Sequence, residues 1–282
     1  MNRRLIALLT AALCALALPA FAQDATPETT PPAEATAEAT APPQAYEVFV
    51  PQVLNEIPHS VTDFTQGLVW ADGRLFQSAG RYGQSRLQEL DPETGEVIRE
   101  VALDDQYFAE GLALVDGRLI QLTWKESAAL IWDAETFEPD GEFSYDTEGW
   151  GLCYDGDAIF MSDGSPNLFV RDAETFELLD TIPVTLEGQP VPQLNELECV
   201  EGDVWANVWQ TPAIVRIDKA TGEVTGIVDA RGLVTPEMAA NWANGAVLNG
   251  IAFNPETETF LVTGKDWPVM YEVTFEPVQV DQ

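Results

Sequence analysis

The chain has 282 residues, which is enough for one large domain or two small ones with a packed core. Its 13 Lys and Arg against 47 Asp and Glu give a formal net charge of −34, which disfavours binding to nucleic acids or anionic membranes. The single histidine, His59, excludes His-rich zinc sites, and any Ser-His-Asp triad would have to use that one ring.

The first 45 residues predict two segments that precede the folded domain. Residues 1–22 have the features of a secretory signal peptide, with two early arginines, an apolar stretch and an Ala-Phe-Ala cleavage pattern. The apolar stretch is shorter than the roughly 20 residues that a membrane span needs. Residues 23–45 are rich in Pro, Thr, Ala and acids, which predicts a disordered tether. We therefore expect an exported protein, periplasmic or secreted, whose folded part begins near Tyr46.

Residues 46–282 contain one sequence pattern five times. Each copy is an apolar run of strand type, a turn and a second apolar run, which predicts a β-hairpin. The copies are QGLVWADGRLF from Gln66, EGLALVDGRLI from Glu110, WGLCYDGDAIF from Trp150, NELECVEGDVW from Asn195 and NGIAFNPETETF from Asn249. Their starts are separated by 44, 40, 45 and 54 residues, intervals typical of propeller blades.

A second turn motif follows each of the first four copies. It reads DPETGE from Asp91, DAETFE from Asp133 and from Asp172, and DKATGE from Asp218. Two hairpins per repeat give four short strands, so residues 46–282 are predicted to form an all-β, five-bladed β-propeller with four-stranded blades. A two-sheet sandwich does not explain five copies of one motif.

Two other segments fit this architecture. The stretch from Pro236 to Asn244 is rich in Ala and Asn, which predicts a short helical insertion in the longest interval. The strand around residues 46–53 is expected to complete the last blade and close the ring.

Two cysteines follow the predicted signal peptide, Cys153 and Cys199. Export permits a disulfide between them. Strand alternation places the two side chains on opposite sheet faces, so we expect two buried free thiols rather than a disulfide.

Repeat-equivalent positions converge on the propeller axis, so they predict two rings of side chains at one mouth of the central channel. The first ring, at the start of each copy, is Gln66, Glu110, Trp150, Asn195 and Asn249. The second ring, nine residues before each turn-motif aspartate and aligned through VMYEV in the fifth blade, is Tyr82, Trp124, Asp163, Trp209 and Lys265. Placed polar groups among tryptophans predict a small-ligand pocket.

Eight short motifs within these repeats carry a resemblance to a known family. They are FTQGL (64–68), EGL (110–112), LTWK (122–125), GWGL (149–152), LNELE (194–198), NVWQT (207–211), LNGIAF (248–253) and TGKDWP (263–268). From Tyr46 to about Phe275 the chain resembles the plant and bacterial type of glutaminyl-peptide cyclotransferase, or glutaminyl cyclase. The resemblance implies a five-bladed propeller enzyme that converts the N-terminal glutamine of peptides or proteins into pyroglutamate with release of ammonia.

The resemblance also implies the functional residues, and the chemistry of the reaction suits their types. The substrate's α-amine attacks its own γ-amide, so no enzyme nucleophile is needed. We expect Glu110 to transfer the proton from the amine to the departing nitrogen. We assign Lys265 and Asn195 to the oxyanion, and Gln66 to the amide or the α-amine. The aromatic residues expected to bind the substrate are Trp124, Trp150, Trp209, Phe64 and Phe108.

Two other functions are kept as alternatives: a non-catalytic propeller that binds exported peptides, and a metal-dependent propeller lactonase. A lactonase needs several inward carboxylates, and the rings offer Glu110 and Asp163. We expect that no cofactor is required, with a structural calcium ion on the axis as an alternative whose ligands the sequence does not identify. We expect a monomer, because a closed ring exposes few strand edges.

Overall fold

The computed structural model describes residues 46–278, so the predicted signal peptide (1–22) and tether (23–45) lie outside the described residues. The described residues are almost entirely β-structure. In chain order the strands are β1 (Glu47–Pro58), β2 (Thr65–Ala71), β3 (Arg74–Ala79), β4 (Arg86–Leu90), β5 (Val97–Ala102), β6 (Ala109–Val115), β7 (Arg118–Thr123), β8 (Ala128–Asp133), β9 (Pro139–Ser144), β10 (Leu152–Tyr154), β11 (Ala158–Met161), β12 (Asn167–Asp172), β13 (Leu178–Pro183), β14 (Thr185–Leu186), β15 (Gln189–Pro190), β16 (Leu194–Val200), β17 (Asp203–Val208), β18 (Ala213–Asp218), β19 (Val224–Asp229), β20 (Leu248–Asn254), β21 (Thr259–Gly264) and β22 (Val269–Pro277).

Five four-stranded antiparallel sheets form the blades of a propeller. Blades 1 to 4 are β2–β5, β6–β9, β10–β13 and β16–β19, and blade 5 is β20–β22 with β1 as its outermost strand. The small hairpin β14–β15 lies between blades 3 and 4 in the chain. The predicted five-bladed propeller with four-stranded blades is therefore confirmed.

The ring is closed at both its inner and outer strands. The innermost strands β2, β6, β10, β16 and β20 contact one another in a complete cycle. On the outside, β1 pairs antiparallel with β22 and parallel with β19, so the first strand in the chain joins blade 5 to blade 4. The prediction that the N-terminal strand completes the last blade is confirmed, and the strand extends to Pro58.

Each interface between neighbouring blades contains its own apolar cluster. The cluster between blades 1 and 2 includes Phe76 and Leu112, and the cluster between blades 4 and 5 includes Trp205 and Phe260. Three further clusters occupy the other interfaces. Innermost strands such as β2 and β6 are covered on both faces and buried over most of their length, whereas the outermost strands β5, β9 and β13 are largely exposed.

The second turn motif is closed by its aspartate. Asp91 Oδ1 accepts hydrogen bonds from the backbone N–H of Glu93 (3.0 Å) and of Thr94 (2.9 Å), and the other three copies repeat this Asx turn. Hydrogen bonds from the following threonine lower the pKa of each of these aspartates. The conserved spacing of the motif therefore reflects turn formation rather than chemistry.

The longest repeat interval contains the predicted helical insertion. It consists of a 3₁₀ turn (Ala230–Leu233), helix α1 (Pro236–Asn241) and a second 3₁₀ turn (Trp242–Asn244). Thr235 caps α1 by accepting a hydrogen bond from Met238 N (3.3 Å). Among the described residues, no helix is both long and apolar enough to cross a membrane.

Cys153 and Cys199 form a disulfide between β10 and β16, with their Cα atoms 5.4 Å apart. The expectation of two free thiols was therefore wrong. Cys153 follows Leu152 by one residue, whereas Cys199 follows the repeat-equivalent Leu197 by two, so the cysteines do lie on opposite faces of their own sheets. Neighbouring blades turn opposite faces toward each other, and this arrangement brings the two side chains together.

Candidate functional site

A cavity of about 300 Å³ lies at the amino ends of the innermost strands. All nine site residues predicted from the sequence line it, together with Gly245. They are Phe64, Gln66, Phe108, Glu110, Trp124, Trp150, Asn195, Trp209 and Lys265. The five blades therefore bring together side chains that are up to 201 positions apart in the chain.

The first ring is aimed at the axis by breaks in strand register. In the four blades whose ring residue lies within the innermost strand, the pairing with the second strand shifts at that residue. In blade 2, for example, Ala109 pairs with Thr123 and Leu112 with Gln121, and Glu110 lies in the shift between them. Such bulges redirect a side chain out of the regular ladder, here into the channel.

The glycine after the ring residue lets the innermost strands approach one another closely. A Cβ atom on Gly67 would lie 2.5 Å from the backbone N of Leu112, and one on Gly111 would lie 2.6 Å from that of Leu152. Glu196 occupies the equivalent position in blade 4, and its carboxylate spans the axis. It accepts hydrogen bonds from Leu68 N (3.2 Å) in blade 1 and Ile251 N (2.7 Å) in blade 5.

The second ring is only partly where the sequence placed it. Trp124, Trp209 and Lys265 each donate a backbone hydrogen bond to the residue two positions before the first ring, at 2.8–2.9 Å. In blade 1 the residue that makes this bond is Gly80, so Tyr82 is not equivalent to the tryptophans. The loop between β3 and β4 is longer than the corresponding loops of the other blades. Counting nine residues back from Asp91 therefore reaches Tyr82 instead of Gly80.

Tyr82 and Asp163 therefore lie outside the residues that line the cavity. Tyr82 is 48% exposed, and Asp163 accepts a hydrogen bond from Ser165 N (2.9 Å). Gly80 and Gly164 leave room for aromatic rings, because a Cβ atom on either would collide with the ring of Phe108 or Trp150.

Glu110 and Lys265 provide two buried ionisable groups in the cavity, at 5% and 4% exposure. Burial raises the pKa of Glu110 well above its usual range, with Lys265 opposing the rise and Glu148 and Glu126 adding to it. Burial lowers the pKa of Lys265 to about 8, against the attraction of Glu110 and Asp266. Both groups thus have pKa values displaced toward neutrality, as general acids and bases require.

Gln66 and Asn195 contribute amide groups to the same cavity. The Oε1 atom of Gln66 is 3.4 Å from Nδ2 of Asn249, which also donates to Thr65 O (2.9 Å). Asn249 thereby orients Gln66 from behind, so that the amide N–H groups of Gln66 are the ones available to a ligand. The Oδ1 atom of Asn195 is buried without a hydrogen-bond partner among the described residues. This acceptor is separate from the Nδ2 donor that an oxyanion would use.

The aromatic walls form two edge-to-face groups. Trp150 and Trp209 lie 5.5 Å apart between ring centroids, and Phe108 lies 5.6 Å from Trp124 and 6.2 Å from Phe64. The ammonium of Lys265 lies 4.9 Å from the Phe64 ring centroid. These walls give the cavity an apolar lining around the few polar groups.

Two carboxylates behind the aromatic walls were missed by the sequence analysis. Glu148 accepts hydrogen bonds from the indole N–H groups of Trp124 (2.7 Å) and Trp150 (3.1 Å). Glu126 accepts one from the Tyr82 hydroxyl (2.8 Å). A pattern for Glu148 was present in the sequence, because it lies two residues before the first ring, where blades 1 and 2 carry Phe64 and Phe108.

His59, the one histidine, is hydrogen-bonded through both ring nitrogens outside the cavity. Nδ1 is 2.9 Å from Trp267 O and Nε2 is 2.8 Å from Oε1 of Gln77. Among residues 46–278, no three His, Cys, Asp or Glu side chains form a group that could hold a metal ion.

Comparisons with known proteins agree on one family. The family model described as glutamine cyclotransferase matches residues 26–275. The chain is 37% identical over 224 residues to the glutaminyl-peptide cyclotransferase of Arabidopsis thaliana, across 79% of this chain and 70% of the relative. The crystal structure of Myxococcus xanthus glutaminyl cyclase superposes with a TM-score of 0.77 at 38% identity, covering 83% of this chain and 100% of that one.

Proposed function

The chain belongs to the glutamine cyclotransferase family, and from this premise we propose how its cavity carries out the reaction. The protein is an enzyme with glutaminyl-peptide cyclotransferase activity, which forms pyroglutamate. Its substrates are peptides and proteins that begin with glutamine. The observation that supports the proposed mechanism most directly is that a buried carboxylate, Glu110, and a buried ammonium, Lys265, line the same aromatic cavity.

The reaction closes a ring within the substrate. The nitrogen of the α-amine attacks the γ-carbonyl carbon, and the bond from that carbon to the amide nitrogen then breaks to release ammonia. The cavity accelerates the attack by holding the glutamine side chain folded, so that the two ends of the same residue meet. The tryptophans and phenylalanines enclose the methylene groups and exclude water.

Glu110 transfers the proton that this exchange requires. The α-amine loses a proton as the new bond forms, and the leaving nitrogen must gain one before it departs. A carboxylate with a raised pKa accepts the first proton and donates the second with little penalty in either direction. Among the described residues the Glu110 carboxylate accepts no hydrogen bond, which leaves it free to contact the substrate.

Lys265 and Asn195 stabilise the negative oxygen of the tetrahedral intermediate. Both supply N–H donors from the cavity wall, and a positive charge in a buried site interacts strongly with a developing oxyanion. Gln66, oriented by Asn249, binds the amide or the α-amine of the substrate.

Three further properties are part of the proposal. The reaction requires no metal ion or other cofactor, because Lys265 and Asn195 supply the stabilisation of the oxyanion and Glu110 the proton transfer. The enzyme acts as a monomer. It acts outside the cytoplasm, in the periplasm or as a secreted protein, since residues 1–22 have the pattern of a signal peptide.

Incubation of the purified protein with Gln-Ala tests the activity, with ammonia and the mass of the product as readouts. We expect stoichiometric ammonia and a product lighter by one ammonia, at the same rate with and without a chelator. Gln-Ala left intact would contradict the activity. Loss of turnover in the chelator would contradict only the metal-free mechanism.

A further inference from the structure

Glu148 links two aromatic walls that come from different blades. Trp124 follows β7 in blade 2, whereas Trp150 precedes β10 in blade 3. One carboxylate oxygen, Oε2 of Glu148, accepts both indole N–H groups, at 2.7 Å and 3.1 Å. An indole has a single N–H donor, so this contact uses the whole hydrogen-bonding capacity of both rings.

The other side of the Glu148 carboxylate is also engaged. Oε1 lies 3.7 Å from Nζ of Lys125, and the same ammonium lies 3.7 Å from the ring centroid of Trp124. The Trp150 ring in turn meets Trp209 edge-to-face at 5.5 Å. The orientation of all three tryptophans in the cavity therefore depends, directly or through one contact, on Glu148.

Glu148 also acts on Glu110 through its charge. Apart from burial, the charged groups that act on the Glu110 carboxyl are Lys265, which lowers its pKa, and Glu148 and Glu126, which raise it. Tyr82 and Tyr145 are near the same acids: besides burial, the charges of Glu126 and Glu110 raise the pKa of both hydroxyls. Glu126 is thus a natural control, since it shares the charge of Glu148 but hydrogen-bonds to Tyr82 and to Phe108 N (3.4 Å) instead of to an indole.

We propose that Glu148 is a positioning residue for the cyclisation, fixing the indoles of Trp124 and Trp150 so that the glutamine side chain is held in its folded, reactive conformation. This inference rests on the proposed function. It assigns a role in turnover to a residue that does not line the cavity. Rings that are free to tilt would loosen the folded conformer, and small misplacements of reacting groups are costly in rate.

The test compares Glu148→Ala, Glu148→Gln and Glu126→Ala in kcat and KM for Gln-Ala across pH. Glu148→Ala is expected to raise KM and lower kcat, reducing kcat/KM by about 10- to 100-fold. Glu148→Gln keeps an oxygen acceptor and is expected to stay within about threefold of the wild type. Glu126→Ala is expected to stay within about threefold as well, because it leaves the indoles in place.

The pH profiles separate charge from geometry. All three variants remove a negative charge near Glu110, so the acid limb of kcat/KM is expected to move to lower pH in each. Only Glu148→Ala is expected to lower the plateau. Equal plateau losses in Glu148→Ala and Glu126→Ala would overturn the proposal, because charge alone would then account for the effect.

The indole ¹⁵N–¹H resonances give a readout that does not depend on activity. The chain has eight tryptophans, and Glu148→Ala is expected to move the resonances of Trp124 and Trp150, identified with Trp124→Phe and Trp150→Phe. Unmoved resonances would also overturn the proposal. If the wild type forms no pyroglutamate, the proposed function fails, whereas the indole shifts still decide whether Glu148 positions the two rings.

Discussion

Both ends of the central channel contain glutamates, but these glutamates differ in their hydrogen-bond partners. At the amino ends of the innermost strands, Glu110 lies in the aromatic cavity and accepts no hydrogen bond from the described residues. At the carboxyl ends, a second cavity of about 480 Å³ is lined by Glu198 and by the Cys153–Cys199 disulfide. Glu198 accepts a hydrogen bond from Phe253 N (3.0 Å) of blade 5, and midway along the axis Glu196 accepts one from blade 1 and one from blade 5.

Burial raises the pKa of all three carboxyls, so a raised pKa does not by itself distinguish a catalytic residue. The distinction lies in the bonding partners. Backbone N–H groups of other blades hold both Glu196 and Glu198 in place, which makes them parts of the framework. Glu110 has no such partner, and it shares its cavity with Lys265.

The strongest test of this comparison is Glu110→Gln. Removal of the proton carrier is expected to lower kcat by about 10³-fold, because general acid–base catalysis contributes roughly 10²–10⁴-fold. The melting temperature should stay near that of the wild type, since no hydrogen bond of the described residues is lost. Ammonia release and thermal unfolding measure the two effects. Glu198→Gln is the matched control and is expected to retain kcat within about twofold; a loss as large as that of Glu110→Gln would remove the distinction between the two ends.

The next largest effect is expected at Lys265, whose charge faces Glu110, Asp266 and the Phe64 ring. Lys265→Met is expected to lower kcat/KM by about 10²–10³-fold through loss of oxyanion stabilisation. In the wild type the pKa of Lys265 is about 8, so the ammonium is present below that pH and is lost as pH rises through it. The wild-type rate should therefore decline above about pH 8.

Lys265→Arg sharpens the same test. Arginine stays protonated far above pH 8, so the alkaline decline is expected to move to higher pH, with a reduced plateau because the side chain is larger. An alkaline limb that stays in place in Lys265→Arg would assign the decline to another group.

The repeat made much of this molecule predictable from the sequence. Copies of one motif specified the blades, and the first position of each copy specified side chains that share the axis, including Glu110 and Asn195. The second ring was less predictable, because loop length varies between blades and the count from Asp91 reached Tyr82 rather than Gly80.

The sequence patterns did not predict the contacts that individual side chains make between blades. The Cys153–Cys199 disulfide was not predicted, because strand alternation was considered within a single sheet. The bond instead joins opposite faces of two neighbouring sheets. Glu148 stands at a repeat-equivalent position, but that position did not reveal its role, which depends on two indoles from separate blades. Patterns along one strand do not carry this information.

The disulfide supplies the next prediction, a large effect on stability with little effect on rate. The bond joins blades 3 and 4 and closes a loop with a sequence separation of 46 residues. Its removal in Cys153→Ala/Cys199→Ala is expected to cost about 2–4 kcal/mol of unfolding free energy. Urea unfolding measures this, and kcat should remain within about twofold because the bond lies at the end of the channel away from the cavity. A kcat loss of tenfold or more would couple the two ends and contradict their separation.

The smallest predicted effect is the pH dependence contributed by Glu198. Burial raises its pKa to about 8, against the hydrogen bond from Phe253 N. In the unfolded chain a glutamate titrates near 4.3, so between about pH 4.3 and 8 the folded state binds more protons than the unfolded state. Stability from this group is therefore complete below about pH 4.3 and is lost as pH rises toward 8.

Glu198→Gln cannot ionise, and its amide oxygen still accepts the Phe253 hydrogen bond. Because Glu198 is partly exposed, only a part of this linkage is expected to be realised. We expect the variant to be more stable than the wild type at pH 8, by on the order of 1 kcal/mol, and to differ less near pH 5. Urea unfolding at the two pH values measures the difference, and a variant less stable than the wild type at pH 8 would show that Glu198 is held as a favourable carboxylate.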